Sequence, residues 1–190
     1  MGYRISYLLA QTDIESAIGA FGLSEINRSP LQPTDEAPFW ATQLRKTGWT
    51  LIWAKDEQFF AQREARVAEL SQNGPVISCV VNEPIMASGA TYWMGGANVW
   101  SISHQGDGRA TNLDVSGTPP PLFEAVRDRA ADEQAENGSC GHFFEIPLNL
   151  AAMETGFRQD AALQDNEVGE YLRLTAPNKS GFFARFLGRR

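Results

Sequence analysis

Two periods of apolar residues recur along the chain and predict its secondary structure. Alternation, or a short apolar run, predicts strands at 3–10, 39–45, 49–55, 76–81, 91–94, 97–104, 110–115 and 142–146. A period of three to four predicts helices after Thr12, after Asp56, from Thr118 to Gly138 and from Pro147 to Gly156. We therefore predict an α+β fold: a mostly antiparallel sheet built from hairpins and a meander, with three to four helices packed on it.

Turn and capping residues mark the ends of these segments. Thr12 and Glu15 fit a capping box at the start of the first helix. Gly95 and Gly96 separate two predicted strands and suit a tight hairpin turn, because glycine tolerates positive φ. Residues 24–38 contain three prolines and few apolar positions, so we predict a loop there.

The chain divides into a domain and a short tail. Its 190 residues fit one domain, and beyond Phe157 the apolar pattern weakens and predicts no further element. Residues 179–190 carry four cations and no acids, and four apolar residues share one side of a helix there: Phe182, Phe183, Phe186 and Leu187. We predict a single α+β domain over 1–178 and a basic amphipathic tail over 179–190.

Charge is segregated along the chain. The net charge is −7, and residues 119–178 hold eleven of the acids with four cations. A nucleic-acid-binding protein normally presents a basic stripe that neutralises phosphates, so this composition argues against that class. A surface of one sign attracts partners of the opposite sign, which favours a basic protein partner. The alternative is a solvated acidic surface that serves solubility.

Neither a membrane span nor a secretion signal is predicted. No stretch reaches the roughly 18–20 apolar residues of a spanning helix, and the first apolar run is too short for a signal peptide. We expect a cytoplasmic protein whose two cysteines, Cys79 and Cys140, are thiols, although their pairing stays open. Cys79 lies in the most apolar strand and is interpreted as a small core residue.

The candidates for catalysis are few. The chain has two histidines, His104 and His142, and histidine is the commonest general base near neutral pH. His104 shares a strand face with Trp100 and Ile102, so the alternative to catalysis is a hydrogen-bonded residue at the edge of a core. Cys140 precedes His142 by two residues, and an imidazole beside a thiol can activate it as a nucleophile. Glu145 follows as a further candidate.

No cofactor or metal site is predicted. The only Cys and His residues are those four, and none has the paired spacing of a zinc site. No calcium loop, phosphate-binding glycine loop or G-x-S-x-G pentapeptide occurs.

Aromatic and acidic residues supply the candidates for partner binding. Strand alternation sends Tyr92 and Trp93 to opposite faces beside the Gly95–Gly96 turn. We expect both residues to contact a partner at this hairpin end, and the alternative is that they cover the sheet under a helix. The acidic candidates belong to the helix after Thr118: Asp128, Asp132, Glu133 and Glu136.

The leading functional hypothesis is a non-catalytic, immunity- or inhibitor-like cytoplasmic domain whose acidic surface binds a basic protein, such as a toxin domain. One alternative is a small-molecule hydrolase or transferase that uses His104 or the Cys140–His142 pair. The other is a peripheral membrane adaptor, in which residues 182–190 contact an anionic membrane weakly. Docking of the tail in a partner groove, or on the acidic helix of its own chain, also stays open.

Overall fold

The computed structural model describes residues 2–32, 37–106, 111–137, 141–161, 163 and 167–176 of the chain. Within these residues, nine strands form one sheet and four α-helices pack on it. The strands are β1 (Arg4–Ala10), β2 (Ser24–Ser29), β3 (Phe39–Gln43), β4 (Thr50–Ala54), β5 (Val76–Asn82), β6 (Ala87–Met94), β7 (Ala97–His104), β8 (Leu113–Gly117) and β9 (Tyr171–Thr175). The helices are α1 (Ile14–Ala20), α2 (Glu64–Leu70), α3 (Phe123–Glu136) and α4 (His142–Thr155), and 3₁₀ turns occupy Ala61–Arg63, Ser71–Asn73 and Glu83–Ile85. The predicted α+β class is confirmed.

Every pair of neighbouring strands is antiparallel, in the order β2-β9-β3-β4-β1-β5-β6-β7-β8. Strands β5 to β8 form a meander, and β3–β4 is a second hairpin that the sequence predicted. In the β6–β7 turn, Gly95 and Gly96 have φ values of +60° and +82°. A tight hairpin turn of this kind requires the left-handed region at both positions, which explains the pair of glycines.

The sheet is buried on both faces. In the central strand β1, Tyr7 and Leu9 lie in the core beneath α3 and α4, whereas Leu8 and Ala10 lie in the core beneath α1 and α2. Alternate side chains of a strand point to opposite faces, so a strand that is apolar at consecutive positions needs cover on both sides. We name the two sides of the sheet the α3–α4 face and the α1–α2 face.

The prediction of a strand at 142–146 is wrong, because these residues form the first part of α4. Pro147 lies inside this helix rather than at its start. The buried residues repeat with a helical period, and they cover the sheet: Phe143, Phe144, Ile146, Pro147, Leu148, Leu150 and Ala151. Burial of this apolar side outweighs the backbone hydrogen bond that proline cannot donate. No helix in the described ranges is long and apolar enough to cross a bilayer.

Two strands were not predicted, and they are neighbours in the sheet. The predicted loop at 24–38 contains β2, and the region beyond Phe157 contains β9, which lies between β2 and β3. Strand β2 is exposed along most of its length at the edge of the sheet, so its sequence lacks the apolar alternation of a covered strand. Leu172 of β9 pairs with Arg28 on one side and Ala41 on the other.

The first two helices begin later than predicted. Asp13, not Thr12, caps α1, since its carboxylate accepts a hydrogen bond from the backbone N–H of Ser16 at 2.8 Å. Hydrogen bonds from the hydroxyl and the backbone N–H of Ser16 lower the pKa of Asp13 below its ordinary value. Helix α2 begins at Glu64, after a turn segment that follows Asp56.

Some predicted features lie outside the described residues. The third strand of the meander, predicted at 110–115, is β8 at Leu113–Gly117, and residue 110 is not among those described. Cys140 and the tail at 179–190 also lie outside them. The division into one domain and a basic tail therefore stays a prediction.

Candidate functional site

His104 is a buried residue of the sheet. It ends β7 on the same face as Trp100 and Ile102, as predicted, and only 2% of it is exposed. One ring nitrogen, Nδ1, lies 2.6 Å from the backbone oxygen of Asn112 and donates a proton to it. The imidazole therefore joins the end of β7 to the residue that precedes β8.

His142 joins the two helices of the α3–α4 face. Its Nδ1 lies 3.3 Å from Oε2 of Glu133 in α3, and its backbone N–H donates to Oε1 of Gln134 at 3.2 Å. Its other ring nitrogen, Nε2, is buried and has no hydrogen-bond partner in the described part of the chain. These contacts bring the end of α3 to the start of α4, so the two helices run antiparallel.

Glu145 is bound by an arginine. Its carboxylate accepts a hydrogen bond from Nη2 of Arg158 at 2.6 Å, and Arg158 also binds Asp160 at 2.9 Å and the side chain of Asn149. Burial alone would lower the pKa of Arg158, but the hydrogen bonds from its guanidinium to Asp160 and Glu145 outweigh burial and raise it. This network fastens the segment after α4 to the helix, which is a structural role for Glu145.

Tyr92 and Trp93 lie on opposite faces, as strand alternation predicted. Tyr92 is half-buried on the α3–α4 face, where its ring stacks on Trp100 with centroids 5.8 Å apart. Partial burial, and then the charge of Glu154, raise the pKa of the Tyr92 phenol. Trp93 is 9% exposed and packs in the core of the α1–α2 face. A partner can therefore contact Tyr92 from the α3–α4 side, while Trp93 is mostly enclosed.

The exposed carboxylates of α3 form an acidic surface on the α3–α4 face. We define it by its five members: Glu124, Asp128, Asp132, Glu133 and Glu136. Two arginines of the same helix reduce this charge, since Arg127 contacts Glu124 and Asp128, and Arg129 lies 4.0 Å from Glu133. The helix keeps an excess of three negative charges on its own residues, with the carboxylates in solvent.

Exposed apolar side chains lie at one end of the same helical pair. Leu122 directly precedes α3 and is 57% exposed, while Met153 near the end of α4 is 53% exposed. Because α3 and α4 run antiparallel, these two ends lie together. Helix α4 packs on β6, and Met94 at the end of β6 is 48% exposed. We name Tyr92, Met94, Leu122 and Met153 the apolar patch.

A cleft with about 130 Å³ of accessible space opens on the α1–α2 face, between the start of α2 and the strands β5, β6 and β7. Its floor is lined with hydroxyl groups, because Ser78, Thr91 and Ser101 are register neighbours across three strands and Ser103 lies two residues further along β7. Thr91 and Ser101 hydrogen-bond each other at 3.1 Å. We name this feature the hydroxyl cleft.

The hydroxyl cleft carries two carboxylates, Glu57 and Glu64, and no lysine, arginine or histidine in the described part of the chain lines it. Glu57 accepts a hydrogen bond from Nδ2 of Asn82 at 2.7 Å and lies 3.4 Å from Nε of Arg4. The indole nitrogen of Trp93, which also lines the cleft, is buried and has no hydrogen-bond partner among the residues that the structure describes.

The sequence analysis missed the hydroxyl cleft, although a signal for it was present. Ser101 and Ser103 alternate with the apolar Trp100 and Ile102 in a predicted strand. Such a strand is polar on one face, which is expected beside water or a ligand. The structure shows in addition that Ser78 and Thr91 pair in register with Ser101 and so lie on the same face.

No three His, Cys, Asp or Glu side chains are arranged to hold a metal ion in the parts of the chain that the structure describes. The chain matches no protein-family model, no curated protein and no solved structure.

Proposed function

We propose that this protein is a non-catalytic binding protein that captures a basic protein partner, such as a toxin domain, through the α3–α4 face. The observation that carries the proposal is that the acidic surface and the apolar patch lie on the same face, the acidic surface on α3 and the patch where the ends of α3, α4 and β6 come together. An interface of this kind needs both features. A surface of one sign attracts a partner of opposite charge, and apolar contacts at the centre of the interface supply most of the affinity.

The acidic surface acts mainly on the rate of encounter. Its carboxylates are exposed, and exposed ion pairs contribute only about 0–1 kcal/mol each to affinity. A field of one sign nevertheless accelerates association with an oppositely charged partner, by about tenfold or more at low salt. This acceleration disappears as salt screens the field.

The apolar patch supplies the contacts at short range. Tyrosine and methionine are enriched at the centres of interfaces, and Tyr92 already has its ring held by stacking on Trp100. A side chain that is fixed before binding loses little conformational entropy on binding. Trp93 was also predicted to contact the partner. In this proposal it instead supports the β6–β7 hairpin from the opposite face of the sheet.

A second candidate function is a small-molecule hydrolase or transferase centred on His142. The observation in its favour is that Glu133 binds Nδ1 of the imidazole while Nε2 has no hydrogen-bond partner among the described residues. A carboxylate in that position orients a general base toward a substrate. Loss of a measured activity in His142→Ala, with folding unchanged, would favour this candidate over the binding function.

The binding function is tested by capture from the native lysate on immobilised full-length protein, followed by association kinetics with the captured partner. A triple variant removes three charges of the acidic surface: Asp128→Asn, Asp132→Asn and Glu133→Gln. A control variant makes the same change in net charge on other elements: Glu15→Gln, Glu25→Gln and Glu69→Gln.

We expect a basic protein to bind the wild type and the control, and to associate about tenfold more slowly with the triple variant at low salt. In 0.5 M salt the three rates should converge. A captured partner whose association rate is the same for the triple variant and the wild type would contradict the proposal, as would the capture of acidic proteins only.

A further inference from the structure

We propose that the hydroxyl cleft binds an alkylammonium group, supplied either by a lysine side chain of a partner or by a free aliphatic diamine. This site lies on the α1–α2 face, opposite the acidic surface, and it is independent of the proposed function. The cleft holds about 130 Å³ of accessible space, close to the roughly 150 Å³ of an engineered cavity that binds benzene, so it suits a small ligand.

The charge of the cleft selects for a cation. Among the residues that the structure describes, Glu57 and Glu64 are the carboxylates that line it and no basic side chain does, so an anionic ligand would meet repulsion there. The Glu57 carboxylate is fixed in place, because Asn82 donates to it from a buried position. Arg4 offsets part of its charge from outside the cleft, whereas Glu64 forms no ion pair with another described residue.

The hydroxyl groups of the floor match the three donors of an ammonium group. Ser78 and Ser103 form no hydrogen bond through their hydroxyls with any other residue in the described ranges, so their lone pairs are available. An ammonium group donates three hydrogen bonds and accepts none, so it needs a site made of acceptors. Two carboxylates and a row of hydroxyls form such a site.

The remaining walls of the cleft suit an alkyl chain. Phe60, Val67 and Val80 line it with carbon, and these groups contact methylenes favourably. Gly89 keeps the floor between them open, since a Cβ atom at that position would lie 3.1 Å from Cγ1 of Val80. The arrangement of apolar walls beside two carboxylates fits a chain of methylenes that ends in an ammonium group.

The test is an NMR titration of the ¹⁵N-labelled full chain with three probes: 1,5-diaminopentane, N-acetyl-lysine methylamide and pentane-1,5-diol. The diol has the length of the diamine without its charge. We expect saturable shifts of the Trp93 indole N–H and of the Ser101 and Ser103 amides with the diamine, and no saturation with the diol. Binding of the lysine derivative as well assigns the site to a partner's side chain, whereas binding of the diamine alone assigns it to a free amine.

Two variants of α2 separate the cleft from the general charge of the protein. Glu64→Gln should weaken diamine binding by about threefold to tenfold, because it removes one carboxylate that faces the ligand. Glu69→Gln makes the same charge change on the same helix outside the cleft and should leave the affinity unchanged. The triple variant of the acidic surface should also bind the diamine normally, which distinguishes this site from the proposed function.

Three results would overturn the proposal: saturation by the diol at the same concentration as the diamine, equal affinities for Glu64→Gln and Glu69→Gln, or the absence of saturable shifts with both amines. Glu64 is exposed, so its substitution by glutamine leaves the core unchanged, and the spectrum of the variant shows directly that it is folded.

Discussion

The close approach of β7 and β8 at Gly117 gives a sharp prediction for stability. Gly117 pairs with Trp100 and has φ +77°, in the left-handed region. A Cβ atom there would lie only 2.1 Å from the backbone oxygen of Val99. Because the obstructing atom belongs to the backbone, a rotamer change cannot relieve the contact, and Gly117→Ala must move the end of β8 away from β7.

The cost of Gly117→Ala has two parts. Alanine in the left-handed region costs about 1–2 kcal/mol relative to glycine. Separation of the strands also weakens the hydrogen bond from the N–H of Thr118 to the oxygen of Val99, now 2.9 Å long, and a bond of this kind contributes about 0.5–1.5 kcal/mol. We therefore expect a loss of about 1.5–3.5 kcal/mol in the free energy of unfolding.

Gly95→Ala is the matched control for this prediction. Gly95 has φ +60°, yet no atom lies within 4 Å of the position that its Cβ would take. Both variants carry the backbone cost and the same change in the unfolded chain, so their difference measures the close approach alone. In urea denaturation, Gly117→Ala should lose about 1 kcal/mol more than Gly95→Ala, and equal losses would refute the proposed contact between the strands.

Two further predictions concern titratable groups. Asp13→Ala should lower the free energy of unfolding by about 1 kcal/mol at pH 7. The pKa of Asp13 is lowered in the folded protein, so its stabilising contribution is present above the ordinary carboxyl pKa and is lost as the pH falls through the lowered value. The free energies of unfolding of the wild type and Asp13→Ala should therefore converge in acid. Urea denaturation at a series of pH values from 7 to 2 measures both free energies of unfolding, and Asp13→Asn is the control that cannot titrate. A difference between wild type and Asp13→Ala that stays constant with pH would contradict the prediction. Burial raises the pKa of the Cys79 thiol to about 12. In a folded Cys140→Ser chain at pH 8, iodoacetamide should therefore alkylate Cys79 about a thousandfold more slowly than in the same chain unfolded in urea. Equal rates would place Cys79 outside the core.

The sequence was informative where an element is covered by the core. Tyr92 and Trp93 were assigned to opposite faces, and His104 to the face of Trp100, because both predictions need only the period of a strand. Cys79 is buried at 3% exposure, which confirms its interpretation as a core residue.

The errors occur where distant residues decide the structure. The proline at 147 indicated a helix start, but the sheet surface that α4 covers lies on strands far away in sequence. Strand β9 depends on β2 and β3, which precede it by more than a hundred residues. The hydroxyl cleft was missed for the same reason, since its floor combines β5, β6 and β7 with a wall from α2, and no local spacing records that arrangement.

The position of β9 between β2 and β3 also determines when the sheet can be completed during synthesis. About 140 residues separate β2 from β9, so at about 5–20 residues per second a ribosome needs roughly 7–28 s to make them. Throughout that interval β2 has no strand to pair with in its own chain. A nascent strand with free backbone groups can pair with a neighbouring chain, and charged side chains oppose such pairing.

Glu25 and Arg28 give β2 those charges, and they bind each other at 2.9 Å in the folded protein. The polar composition of β2, which is the reason that the sequence did not predict a strand there, thus protects the nascent chain from pairing with neighbouring chains until β9 has been made. An apolar β2 would have been easier to recognise in the sequence, and more prone to aggregate on polysomes.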